Sequence, residues 1–178
     1  MRNFGNHTGI EKITYGVTDL DKARAFWADF GLVPVKNGGG HVEFSAQNGA
    51  SVEIRVADDP ALAPAVGSDV DATVREAMFG VKSQADLDAL EENLSIDRDV
   101  RKDDDGSIHT VDPVGFGLGF RVKQTTAVKA PELEVNIPGR PKRVNRRAEQ
   151  VDKASPFEIS HIVYMTDDLE NHKEFYVD

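Results

Sequence analysis

A short pattern occurs twice in this chain, 149 residues apart, and no other feature restricts the fold as much. Ile13, Tyr15, Asp19, Leu20, Phe26 and Trp27 recur as Ile162, Tyr164, Asp168, Leu169, Phe175 and Tyr176. A recurring unit must bury the same face each time, so the repeat fixes architecture before any single element is assigned. In the first copy, Ile13, Tyr15 and Val17 alternate with Lys12, Thr14 and Gly16, which predicts a strand. Asp19 stands at an N-cap position, where a carboxylate accepts the first free helical amides. Leu20, Ala23, Phe26, Trp27 and Phe30 follow at helical spacing, and Gly31 supplies the stop. Phe26 and Trp27 read as a helix face covering a sheet, in preference to a cofactor-stacking pair. At the same offset, His161 stands where the first copy has Lys12.

After the first helix come Val33-Pro-Val35, the turn Asn37–Gly40 and the strand His41–Ser45. A second turn, Gln47-Asn-Gly49, leads to the strand Ser51–Val56, and Asn-Gly between alternating segments predicts a hairpin. A strand follows the glycine run, so Gly38–Gly40 is a turn and not a phosphate loop. Residues 11–56 therefore read as a βαβββ unit. Beyond the Pro/Ala connector 58–67 the same order returns over 73–123. Thr73–Val81 is a strand, and Ser83–Asp86 is a capping-box-like start to a helix with Leu87, Leu90 and Leu94 on one face. Asp103-Asp-Asp-Gly106 is a solvated turn, and the strands Ser107–Val111 and Gly115–Val122 close the unit.

The expected organisation is one α+β domain over 1–123, a Pro-rich and basic linker over 124–157, and the first strand and helix of a third unit over 158–178. That last helix is still running at Asp178, so the chain is expected to be a fragment. A formal charge of −10 argues against nucleic acid or an anionic membrane as the main partner. The basic run Arg140–Arg147 is read as solvated linker. No cysteine is present, which removes disulfides, thiolate nucleophiles and Cys-ligated metals. No apolar run has membrane-spanning length, and a cytoplasmic location is expected.

Asp19–Trp27, Asp168–Tyr176 and Asp112-Pro-Val-Gly115 before a last strand together resemble the vicinal oxygen chelate superfamily, which includes glyoxalases, bleomycin-resistance proteins and extradiol dioxygenases. The resemblance is greatest to the N-terminal part of a two-domain type I extradiol dioxygenase. It implies tandem βαβββ units in an open barrel, with metal ligands on the first and last strand of each unit. Those positions map to Lys12, Glu53, Glu76 and Gly119, none of them histidine. The N-terminal domain is therefore expected to be metal-free, with Lys12 and Glu76 placed to pair where a metal would sit.

In such enzymes the second domain holds Fe(II) (Mn(II) is the alternative) on two histidines and one glutamate, leaving positions open for a catechol and O2. The resemblance makes His161 the first of those histidines, on a strand face shared with Val163 and Met165, with Ile162 and Tyr164 turned toward the helix. The other ligands, the catalytic residues and the substrate pocket are not expected in this chain. His172 is expected on an exposed helix face, and His7, His41 and His109 have no partners at ligand spacing. The implied function is part of an Fe(II)-dependent catechol-cleaving dioxygenase, inactive alone and homo-oligomeric. The alternatives are a drug- or aromatic-binding protein of the bleomycin-resistance type and a glyoxalase-like metal-dependent isomerase.

Overall fold

The computed structural model describes residues 7–67, 72–129 and 150–177. The expected linker segment 130–149, with its basic run, lies outside the described residues. The first unit is β1 (His7–Val17), α1 (Leu20–Phe30), β2 (Val33–Gly38), β3 (His41–Ser45) and β4 (Ser51–Val56). The second is β5 (Ala72–Val81), α2 (Gln84–Leu94), β6 (Arg101–Lys102), β7 (Ile108–Val111) and β8 (Gly117–Val122), and α3 (Leu169–Tyr176) follows. The eight strands form a single sheet in the order β2-β3-β4-β1-β5-β8-β7-β6. The order is palindromic about the β1–β5 seam, which is antiparallel, while β1–β4 and β5–β8 are parallel. The chain is therefore two copies of βαβββ related by an internal twofold. The sheet stays open, with β2 and β6 at its edges.

The helices begin and end where the capping chemistry places them. Asp19 Oδ1 accepts the Lys22 amide at 2.9 Å, and Gly31 closes α1 at φ 101°, a conformation that favours glycine. Ser83 Oγ accepts the Asp86 amide to start α2. The two helices have equal length and an offset of 64. Each covers half of one sheet face. Leu87, Leu90 and Leu94 are fully buried among Val81, Ile108, Leu118 and Phe120. Burying each of these leucines contributes roughly 2 kcal/mol. Under α1 the core is Val17, Leu32, Val42, Phe44, Val52 and Ile54.

The connector after β4 folds back over the opposite face of the sheet. Arg75 holds it there, donating to the carbonyls of Ala57 (2.9 Å) and Ala63 (2.8 Å) and to Thr73 Oγ1 (2.8 Å). Residues 154–157 run along the first unit, where Pro156 and Phe157 carbonyls accept the Gln47 and Asn48 amides. The stretch read as a third-unit strand makes no ladder with any described strand. Its alternation persists in burial: Ile162 and Tyr164 are half-buried, and His161, Val163 and Met165 are exposed. Among the described residues, no helix is long and apolar enough to cross a membrane.

Candidate functional site

The sheet face opposite the helices gathers the polar positions of the strands. Register places Thr14 across from both Glu53 of β4 and Glu76 of β5, with Lys12 beside Ser51 and Met78. Lys12 Nζ lies 2.9 Å from Glu53 Oε2. The other Glu53 oxygen takes Arg55 Nη2 at 2.7 Å, and Arg55 Nη1 reaches Asp59 at 2.9 Å. Burial acts to raise the Glu53 carboxyl, but Lys12 and Arg55 together hold it below its ordinary value. Arg55 is held more tightly protonated: burial opposes its charge, and the hydrogen bonds to Asp59 and Glu53 outweigh that cost.

A second cluster adjoins it. Glu76 Oε2 is 2.8 Å from His109 Nδ1, and His109 Nε2 is 2.9 Å from Ser107 Oγ and 3.3 Å from Asp103 Oδ2. Ser107 Oγ donates to Asp105 Oδ1 at 2.5 Å, so its proton points away from the imidazole. Ser107 is also buried, which leaves this Ser–His–Glu row without a reachable nucleophile. The hydroxyl and the amide of Ser107 hold the Asp105 carboxyl below its ordinary value. Arg101 pairs with Asp103. A cleft of about 150 Å3 lies between the two clusters, roofed by Ala61–Ala63 of the connector.

Of the four positions where the resemblance puts metal ligands, three carry side chains, and those are committed to one another or to neighbours. Lys12 pairs with Glu53 and not with Glu76, correcting the sequence reading. Register sets both carboxylates level with Thr14, but Glu76 is already engaged by His109 of β7, which leaves Glu53 to Lys12. Gly119 supplies no donor, and its space is filled. A Cβ there would lie 2.7 Å from Met78 Cε and 3.3 Å from the Glu76 carboxyl carbon. A dication at this centre would meet the Lys12 ammonium and carboxylates already paired, so the residues present do not fit one. Among the described residues no group of three or more His, Asp or Glu is placed to hold a metal.

His109, which the sequence reading gave no partner at metal-ligand spacing, sits in an ion-pair cluster between Glu76 and Asp103. The signal was hidden because strand order, and not sequence spacing, joins positions 76 and 109. His172, read as exposed, is buried at 7% exposure with Nε2 2.7 Å from Asp112 Oδ2. Asp112 is the hub of a clasp between the second unit and α3. Its Oδ1 accepts the amides of Val114, Gly115 and Phe116, each at 2.9 Å. Its Oδ2 accepts from His172 and, at 3.1 Å, from the Tyr176 hydroxyl. Burial, then the Asp112 charge, pushes the phenols of Tyr164 and Tyr176 far up. Tyr164 packs on Phe116 at a tilt of 35°, with ring centroids 4.5 Å apart. His161, four positions before Met165, is exposed, with Nδ1 3.1 Å from Ser160 Oγ.

No family model matches the chain, and no curated protein sequence matches it. Solved structures do. The Mn(II)-bound glyoxalase from Novosphingobium aromaticivorans superposes at TM-score 0.53 with 22% identity, covering 72% of this chain and 43% of that one. A variant of homoprotocatechuate 2,3-dioxygenase from Brevibacterium fuscum gives TM-score 0.53 and 19% identity over 70% and 34%. The Arthrobacter globiformis homoprotocatechuate 2,3-dioxygenase gives TM-score 0.53 and 20% identity over 68% and 38%. The chain thus has the vicinal oxygen chelate fold, and it spans less than half the length of each of these neighbours.

Proposed function

We propose that this chain carries the non-catalytic N-terminal domain, and the opening of the next unit, of an extradiol dioxygenase that cleaves a catechol-type aromatic with O2. One observation carries the reading. The two-unit sheet fills its metal-site positions with ion pairs of Lys12, Glu53 and Glu76, while the second copy of the opening pattern has His161 where the first has Lys12. A domain of this fold that has given up its metal is a scaffold, and the reaction then belongs to the unit that regains a ligand. The domain boundaries proposed are 1–123, 124–157 and 158–178. Both dioxygenase neighbours align with this chain over about a third of their length, as a single domain of a longer enzyme would.

Fe(II), or Mn(II), bound in the complete protein would supply adjacent open positions for a catecholate and O2. His161 is the one ligand this chain contributes; the other histidine and the glutamate are not among the described residues. Its exposed, unladdered setting is that of a strand whose pairing partner lies elsewhere. The partner molecules are a small aromatic diol and O2.

The test uses the full-length protein bearing this sequence, loaded with Fe(II). Catechol should give the yellow ring-cleavage product with stoichiometric O2 uptake. His161→Ala should abolish it, and Glu76→Gln should leave kcat within about threefold, because Glu76 belongs to the scaffold. Thiol-ester or epimer formation without O2 uptake would instead assign a glyoxalase-like isomerase. Ring cleavage surviving in His161→Ala would remove that residue from the site.

A further inference from the structure

The chain contains one knob and one groove twice, and the described residues join only one pair of them. Helix α3 sends Phe175, 3% exposed, into the core of Leu87, Leu90 and Leu94, while Tyr176 borders a small cavity together with Phe79 and His7. At the 149 offset α1 is the same helix, with Phe26 and Trp27 at the positions of Phe175 and Tyr176. At the 64 offset the flank of α1 is the same groove, with Tyr15, Ala23 and Phe26 at the positions of Phe79, Leu87 and Leu90. Yet the groove beside α1 is open. It measures about 620 Å3 between Tyr15, Val17, Ala23, Phe26, Trp27 and Ala72. Phe26 on its wall is 57% exposed, and Phe30, one turn further along α1 and stacked on it at 6.1 Å, is 51% exposed.

We propose that this face pairs two copies of the chain, with α1 of each laid antiparallel along the groove of the other. Phe26 then enters the space that Phe175 and Tyr176 fill in the second unit. A surface that is knob and groove together is self-complementary, which is the condition for an isologous twofold contact. The charges agree with that orientation. Lys22 lies one turn before Phe26 and Asp29 nearly one turn after it. Antiparallel helices centred on Phe26 set Lys22 of each copy in the turn facing Asp29 of the other.

The two half-exposed aromatics of both copies bring on the order of 400 Å2 of apolar surface, before the groove walls are counted. That alone falls short of the roughly 1,200 Å2 of a specific interface, so the groove walls must supply the remainder and the dimer is a weak, concentration-dependent one.

The 178-residue chain suits the test, having Trp27 as its single tryptophan and no cysteine. Sedimentation should show a monomer–dimer equilibrium, with Trp27 emission moving to the blue as the dimer forms. Phe26→Ser should weaken association at least tenfold, while Ile96→Ser, exposed elsewhere on the surface, should not. Lys22→Glu should also weaken it, and adding Asp29→Lys should restore it; a variant that merely failed to fold would not be rescued. Phe26→Cys should give disulfide-linked dimers on mild oxidation, and Ile96→Cys should not. A chain that stays monomeric at millimolar concentration overturns the proposal, as does a dimer indifferent to Phe26→Ser. So does a monomer whose Trp27 is shielded from iodide, because another segment then fills the groove.

Discussion

Asp112 bears more structure than any other single residue of the chain. Its carboxylate takes five donors without exposure to water, three from its own turn and two from α3. Asp112→Ala leaves those donors unmatched in a buried site and should cost about 3–5 kcal/mol. It should also release α3, seen as faster amide exchange over Leu169–Tyr176 in native conditions. His172→Ala removes one donor and should cost less, about 1–2 kcal/mol. The Asp-Pro-Val-Gly turn was legible in the sequence because its chemistry is local. Its partner His172 was not, because nothing near residue 172 reveals a carboxylate sixty residues earlier.

Glu53 makes a pH statement at the same scale. Its folded carboxyl titrates below the ordinary value of 4.5 because Lys12 and Arg55 outweigh burial. A depressed acid contributes stability that is present above the unfolded value and lost as pH falls through the folded one. Unfolding free energy should therefore fall with acid below about pH 4.5, and Glu53→Gln should flatten that limb in urea titrations across pH.

Between the elements, α1 and α2 are a controlled comparison inside one molecule. They share length, cap position and place over the sheet, yet α2 buries three leucines and α1 buries no residue fully. Leu90→Ala should cost about 2–4 kcal/mol, since it opens a cavity under a packed helix. Phe26→Ala, at the equivalent position, should cost the monomer under about 1 kcal/mol, because half of the ring already faces water. Chemical denaturation of the two variants below the dimer range measures the difference.

The caps Asp19, Ser83 and Gly31 were readable because one residue decides each. The pairing of 158–166 was not, since alternation reports which side chains turn inward and says nothing of whether a neighbouring strand is there. Nor did the sequence indicate that β6 would shrink to Arg101–Lys102. A two-residue charged strand is a common way to blunt a sheet edge.

At the scale of the whole molecule, the palindromic sheet leaves the chain to exit beside its own first strand, and a second buried carboxylate guards that exit. Glu11, fully buried on β1, accepts the amides of Gln124 and Thr125, the Thr125 hydroxyl at 2.7 Å and Arg121 Nη2 at 3.3 Å. The sequence reading passed over it, because one glutamate beside Lys12 on an alternating strand looks solvated. Its neighbour Gly80 shows how close the fit is. A Cβ there would come within 2.9 Å of Glu11 Oε1 and 2.6 Å of Thr8 Oγ1.

The clasp fixes the path of the chain as it leaves the sheet at Gln124 and Thr125. Glu11→Ala should destabilise the chain by about 3–5 kcal/mol, since it orphans two amides and a guanidinium in a dry site. Glu11→Gln keeps an acceptor and should cost less, about 1–3 kcal/mol. The separating measurement is amide exchange. Loss of protection at Gln124 and Thr125 while β1 and β5 stay protected means that the exit has detached from an intact sheet. Uniform loss across the sheet would show that Glu11 holds the domain together and does not direct its exit.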